Sequence, residues 1–203
     1  MKHITALALA ALMGTTAAPA LAQEKGDMLL GLGLGWVEPG DGSNTILPGG
    51  KVSADGAASL TVTFEYFIAD RVGIELLAAW PFSHDLELGG NKIGETNQLP
   101  PTLSLQYYFT NKSRITPFVG AGINYTYFFD EELDGPGAPS LDLDDSWGYA
   151  LHAGADFAIS ERSALRADVR YIDIETDANV GGVDIGNVDI NPWVFSLAYM
   201  LRF

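Results

Sequence analysis

Residues 193–203 read Trp-Val-Phe-Ser-Leu-Ala-Tyr-Met-Leu-Arg-Phe. Trp193, Phe195, Leu197, Tyr199, Leu201 and Phe203 occupy every second position, with Val194, Ser196, Ala198, Met200 and Arg202 between them. Successive strand side chains point to opposite faces, so this is a strand with one wholly apolar face. Water is a poor solvent for such a face and for a terminal Phe203. A strand whose outer face meets lipid tolerates both, because hydrocarbon is then the solvent.

The same alternation recurs upstream. Strands are expected over 28–37, 57–68, 72–80, 99–109, 116–129, 147–157 and 165–171, making eight with the last. Leu30, Leu32, Leu34 and Trp36 share one face of the first, opposite Gly31, Gly33 and Gly35. Leu60, Val62, Phe64 and Tyr66 do the same in the second, opposite Ser59, Thr61, Thr63 and Glu65. Short links (69–71, 110–114, 160–163) alternate strictly with long polar ones (39–55, 82–97, 130–145, 173–187). An even strand count, short turns at one end and long loops at the other describe an eight-stranded antiparallel transmembrane β-barrel. Closure removes the unpaired strand edges that lipid penalises. Trp36, Trp80, Trp147 and Trp193 fall near the loop side, where an interfacial aromatic girdle belongs. A soluble lipocalin-like barrel or sandwich would need polar outer faces, which these strands lack.

Composition agrees. Residues 1–22 read as a secretory signal: Lys2 and His3, an apolar stretch from Ile4, and Ala20-Leu21-Ala22 as the cleavage site. The stretch is short of the roughly 20 apolar residues of a spanning helix, so 23–203 are expected to form one secreted domain. The chain has no cysteine, so packing and hydrogen bonds must hold the fold. The formal charge is −15, and cleavage removes Lys2 and no acid. Such a surface excludes nucleic acid, which needs clustered Lys and Arg.

Six segments belong together: Arg-Val-Gly-Ile-Glu-Leu-Leu-Ala-Ala at 71–79, Pro-Phe-Ser-His-Asp at 81–85 and Leu-Pro-Pro-Thr-Leu at 99–103, then Thr-Pro-Phe-Val-Gly-Ala-Gly-Ile-Asn-Tyr-Thr at 116–126, Asp-Ser-Trp-Gly at 145–148 and Pro-Trp-Val-Phe at 192–195. In these the chain resembles the OmpW family of outer-membrane proteins. The resemblance implies a bacterial outer-membrane barrel with a narrow, largely apolar interior that passes small hydrophobic molecules. Arg170 departs from the inward aromatic expected at its position, which argues against a purely apolar lumen.

Eight strands leave an interior that side chains nearly fill. The inward ionic residues Glu65, Glu75, Asp156, Arg166, Asp168, Arg170 and Arg202, with Gln106, gather towards the turn side. Buried charges persist when paired, so a polar periplasmic floor is expected. Above it, Leu77, Ala79, Thr126, Ala150, His152 and Val194, with Gly33 and Gly35, are expected to line a pocket open to the outside. Pro81, Pro100 and Pro101 lie at the outer ends of neighbouring strands and lack backbone donors. They mark either simple strand ends or a lateral seam through which a solute could leave into the bilayer; Pro39 and Pro192 do the same for the first and last strands.

Other motifs carry less. Ser83-His84-Asp85 suggests a hydrolase relay, but adjacency in sequence does not make a triad, and no catalytic residue is assigned. No cofactor motif occurs. The acidic loops (Asp130, Glu131, Glu132, Asp134, Asp142, Asp144, Asp145; Asp173, Glu175, Asp177, Asp184, Asp189) read as solvated repulsion or as weak divalent-cation sites. The expected partners are outer-membrane lipid, small hydrophobic solutes and, through the C-terminal Phe203, the barrel-assembly machinery. The competing function is a structural or recognition barrel with no transport role.

Overall fold

A computed structural model describes residues 23–40, 46–47, 50–88 and 90–203. The signal expected over 1–22 lies outside the described residues, as do parts of the first long link. The strands are β1 (Met28–Glu38), β2 (Ile46–Leu47), β3 (Gly50–Ala54), β4 (Ala57–Ala69), β5 (Val72–Ala79), β6 (Phe82–Leu88), β7 (Asn91–Leu99), β8 (Thr102–Tyr108), β9 (Ile115–Leu133), β10 (Leu141–Leu143), β11 (Ser146–Ala158), β12 (Ser163–Ile172), β13 (Glu175–Val180), β14 (Val183–Asp189) and β15 (Trp193–Arg202).

Eight of them, β1, β4, β5, β8, β9, β11, β12 and β15, form a closed antiparallel barrel. It closes where β15 pairs back onto β1, from Leu29↔Arg202 to Glu38↔Trp193. Every staff alternates. In β4, Ala57, Ser59, Thr61, Thr63, Glu65 and Phe67 are buried, and Leu60, Val62, Phe64 and Tyr66 face out. Leu32 and Leu34 are both 62% exposed, a cost that water would exact and hydrocarbon does not. Outward aromatics collect at two levels: the four tryptophans at the loop end, and Tyr66, Tyr107, Phe109, Phe157 and Tyr199 at the turn end. The ten residue steps of Trp193–Phe203, at about 3.4 Å each and tilted about 40°, give a belt roughly 25 Å tall.

The long links hold more structure than their polar composition suggested. β6 and β7 form a hairpin that prolongs β5 and β8 outward, and the upper part of β9 pairs with β7 as far as Gly94↔Leu133. β10, β13 and β14 make a separate three-stranded sheet. Beyond the belt an outer face need not be apolar. The alternation therefore fades at Lys92, Glu95 and Asn97 while backbone pairing continues.

The interior is layered. A lower apolar cluster holds Leu29, Phe67, Tyr108, Phe118, Ala164, Ala198 and Met200. An upper one holds Val37, Ala57, Phe82, Phe128, Ala150, Ile172, Ile174 and Val194. The ionic residues lie between the two.

Candidate functional site

Arg166 organises the ionic layer. Its Nε donates to Asp156 Oδ1 at 2.7 Å, Nη1 to Glu75 Oε2 at 3.0 Å and Nη2 to Glu65 Oε2 at 3.1 Å. Glu65 and Glu75 are cross-strand partners, so their like charges face each other until the guanidinium bridges them. Nη2 also donates to Tyr108 Oη at 2.6 Å, while that hydroxyl donates to Glu65. The guanidinium carbon Cζ lies 4.7 Å from the Phe118 ring centroid. Arg170 Nη2 donates to the other Glu75 oxygen at 2.6 Å, and His152 Nδ1 lies 2.9 Å from Asp168 Oδ2 and 3.2 Å from Arg170 Nη2. Space for two of these groups comes from glycine. A Cβ at Gly120 would strike the His152 imidazole, and one at Gly73 the Glu65 carboxylate.

Six of the seven residues expected in the floor therefore meet: Glu65, Glu75, Asp156, Arg166, Asp168 and Arg170. Arg202 does not. It sits at the turn-end rim, half-buried, 3.5 Å from Asp27, because its register partner Leu29 is the first inward residue of β1. The layer is also not the lowest. Phe67 and Ala164 lie one pleat closer to the turns than Glu65 and Arg166, so an apolar layer seals the charges from below.

His152 was expected in the pocket and belongs to the ionic layer instead, because Arg170 and Asp168 are beside it. Thr126 and Ala150 are fully buried in packed interior and border neither cavity described below. Leu77, Ala79 and Val194 do line a space, but a small one of about 20 Å³, shared with Val37, Phe82, Gln98 and Pro100. The main cavity is about 190 Å³ and lies higher. Its wall is mostly apolar, with Phe128, Leu141, Leu143, Ile93 and Ile190 prominent, and Thr96, Gln98 and His84 as polar members. Gln98 borders both spaces. Phe128 apart, these residues lie in or beside the stretches that read as long polar links. The faint signal was the inward set Gly94, Thr96 and Gln98 in β7, too polar to stand out by hydropathy.

The prolines interrupt one ladder. β5 pairs with β8 up to Leu77↔Thr102, and pairing resumes between β6 and β7 at Phe82↔Gln98. Between these, 78–81 and 99–101 have no register partners across the joint. The carbonyls of Pro100 and Pro101 are instead taken by Asn124 Nδ2 at 3.2 and 3.1 Å, and Pro101 O also by the Tyr125 N–H. The proline break is thus fastened to β9 and open towards β5, and Ala79 and Pro100 on its two sides both line the smaller space.

Ser83 and His84 point to opposite faces of β6. Ser83 bonds Asn97 outside, whereas His84 is buried with Nδ1 2.7 Å from the Asp55 carbonyl oxygen, so the two do not form a relay. Among the described residues no three His, Asp or Glu side chains group as metal ligands would.

A sealed antiparallel cylinder with an apolar outer belt, two aromatic girdles and a charged, packed lumen defines an outer-membrane β-barrel protein. Comparison with known proteins makes this specific. The model of the OmpW family matches residues 24–203. Outer membrane protein W of Vibrio cholerae is 39% identical, covering 98% of this chain and 99% of its own. The structure of the outer membrane protein OprG from Pseudomonas aeruginosa superposes with a TM-score of 0.80 at 35% identity, covering 91% of this chain and 99% of that one. A protein named for the dibenzothiophene metabolism operon, PahQ of Pseudomonas aeruginosa, is 30% identical over 77% of each chain. The chain belongs to the OmpW family and is located in the outer membrane.

Proposed function

We propose that this barrel admits small hydrophobic molecules passively from outside and releases them sideways into the bilayer. The observation that carries the reading is the succession of three features: the apolar outer cavity, the smaller space with which it shares Gln98 as a wall, and the unpaired joint at 78–81 and 99–101. Below them the Arg166 layer confronts a solute with buried, paired charges, which an apolar molecule cannot replace as partners. Descent is therefore unfavourable, and the side joint leads to hydrocarbon. The relative named for dibenzothiophene metabolism supports an apolar cargo. The packed lower half would equally suit a purely structural barrel, but such a barrel has no use for the cavity above it. Catalysis has no support in the arrangement of Ser83 and His84. Uptake of a small hydrophobic dye into liposomes, with and without the inserted protein, tests the reading; equal rates would reject it.

A further inference from the structure

The outer cavity has a polar end whose hydrogen bonding is incomplete. His84 Nδ1 faces the Asp55 carbonyl oxygen at 2.7 Å, so Nδ1 carries the proton. Its Nε2 is then an acceptor, and Gln98 Nε2 donates to it at 2.9 Å. His84 thereby fixes the amide's orientation and turns Gln98 Oε1 away from itself. That oxygen is buried and has no partner, and the same holds for Thr96 Oγ1, the hydroxyl on the cross-strand partner of His84. Gln98 is 2% exposed and Thr96 5%, and both border the cavity. A buried polar atom left unpaired costs about 1–3 kcal/mol, so two of them in one apolar wall point to a guest that completes them.

Deepening the uptake reading above and resting on it, we propose that Thr96 and Gln98 select small apolar molecules that end in a hydrogen-bond donor, such as alcohols and phenols, over hydrocarbons of the same shape. Gln98 Oε1 accepts a hydrogen bond from the guest's O–H, and the Thr96 hydroxyl donates to its oxygen. Cavity size sets the body: a dry apolar space of about 150 Å³ holds a benzene-sized guest, so about 190 Å³ holds one ring with a small substituent. Charge sets the head. Asp189 borders the cavity, and Asp142 lies on β10 between the lining residues Leu141 and Leu143, which disfavours a carboxylate anion and leaves a neutral donor acceptable.

Fluorine NMR on the full barrel in detergent micelles tests this with three probes: para-fluorophenol, para-fluorotoluene and para-fluoroanisole. Each affinity is corrected for partition into empty micelles. Shifts of Phe128, Leu141 and Ile190 locate the binding. The phenol is expected to bind about five- to tenfold more tightly than the toluene, one neutral hydrogen bond's worth. The anisole, an acceptor without a donor, can use Thr96 but not Gln98 and should bind more weakly than the phenol. Thr96→Val, which keeps the shape and removes the hydroxyl, and Gln98→Leu should each reduce the phenol's advantage while toluene binding persists. Thr96→Val stands by itself if Gln98→Leu unseats His84. Equal binding of phenol and toluene, or anisole binding as tight as the phenol's, would overturn the donor selectivity and leave the cavity as a solute site. Failure of every probe to shift the cavity residues would overturn the uptake reading as well.

Discussion

At the scale of single residues, Arg166 has the most to hold. One guanidinium serves Glu65, Glu75 and Asp156, all nearly inaccessible to water. Replacing one partner of a buried ionic network leaves its counter-charges unpaired, at about 3–5 kcal/mol. Arg166→Met is expected to lower the stability of the barrel by that order, read as a shift of the urea unfolding midpoint in micelles. An unchanged midpoint would show that water reaches the carboxylates. His84, outside the membrane belt, makes a pH prediction. Burial holds its pKa below the usual imidazole value, against the opposing pull of the Asp55 carbonyl and charge. Gln98 and the stacked Phe82 ring are its other close neighbours, and Asp189 shares the cavity wall. A depressed folded pKa means that the unfolded segment binds the proton first as pH falls below about 6.5. Stability is then full above that value and declines beneath it. Amide exchange in β6 should be faster at about pH 5 than at about pH 7.5 after correction for intrinsic rates, with the imidazole titrating below a free histidine. A normal or raised imidazole pKa would contradict the buried neutral form.

At the scale of elements, the notable feature is the break that the prolines make in the barrel's pairing. β4 stays paired with β5 through Thr61↔Ala79, and β8 stays paired with β9 through Thr102↔Asn124. The interruption is widest at the joint of β5–β6 with β7–β8, because proline offers no N–H there; against β9 the register also skips Pro100 and Pro101, but the Tyr125 N–H still reaches the Pro101 carbonyl. The chain has no cysteine of its own, so Trp80→Cys with Leu99→Cys can be bridged across the joint by a short bismaleimide. Bridging is expected to abolish liposome uptake while saturable binding in the outer cavity persists. Undiminished uptake would rule out this exit and confine the prolines to ending strands.

At the scale of the whole molecule, the barrel separates three environments: hydrocarbon outside, paired charge within, and a partly apolar space above. Leu105 and Leu197 face outward on opposite parts of the wall, 53% and 58% exposed. Spin labels placed at these two positions in bilayers should be relaxed by dissolved oxygen and shielded from an aqueous nickel complex. A label at Ser160, in a turn, should respond to nickel. Reversed accessibilities would mean that water, not lipid, bathes the outer face.

Strand number, which side chains face out, the closed topology and even the gathering of six ionic residues were legible in the chain alone. Period-two alternation is a local property, and lipid enforces it strictly along every staff, as in Trp193–Phe203. The membership of the ionic layer followed from the same parity. Height and neighbours did not. Whether Arg202 joins Glu65 or Asp27 depends on the stagger between strands, and whether His152 meets a solute or Asp168 depends on which side chains reach across the lumen. The outer cavity was hidden for a related reason. Beyond the membrane no apolar outer face is required, so the strands that carry Thr96, Gln98 and His84 look like polar loops, and only pairing between distant segments reveals that they enclose a space.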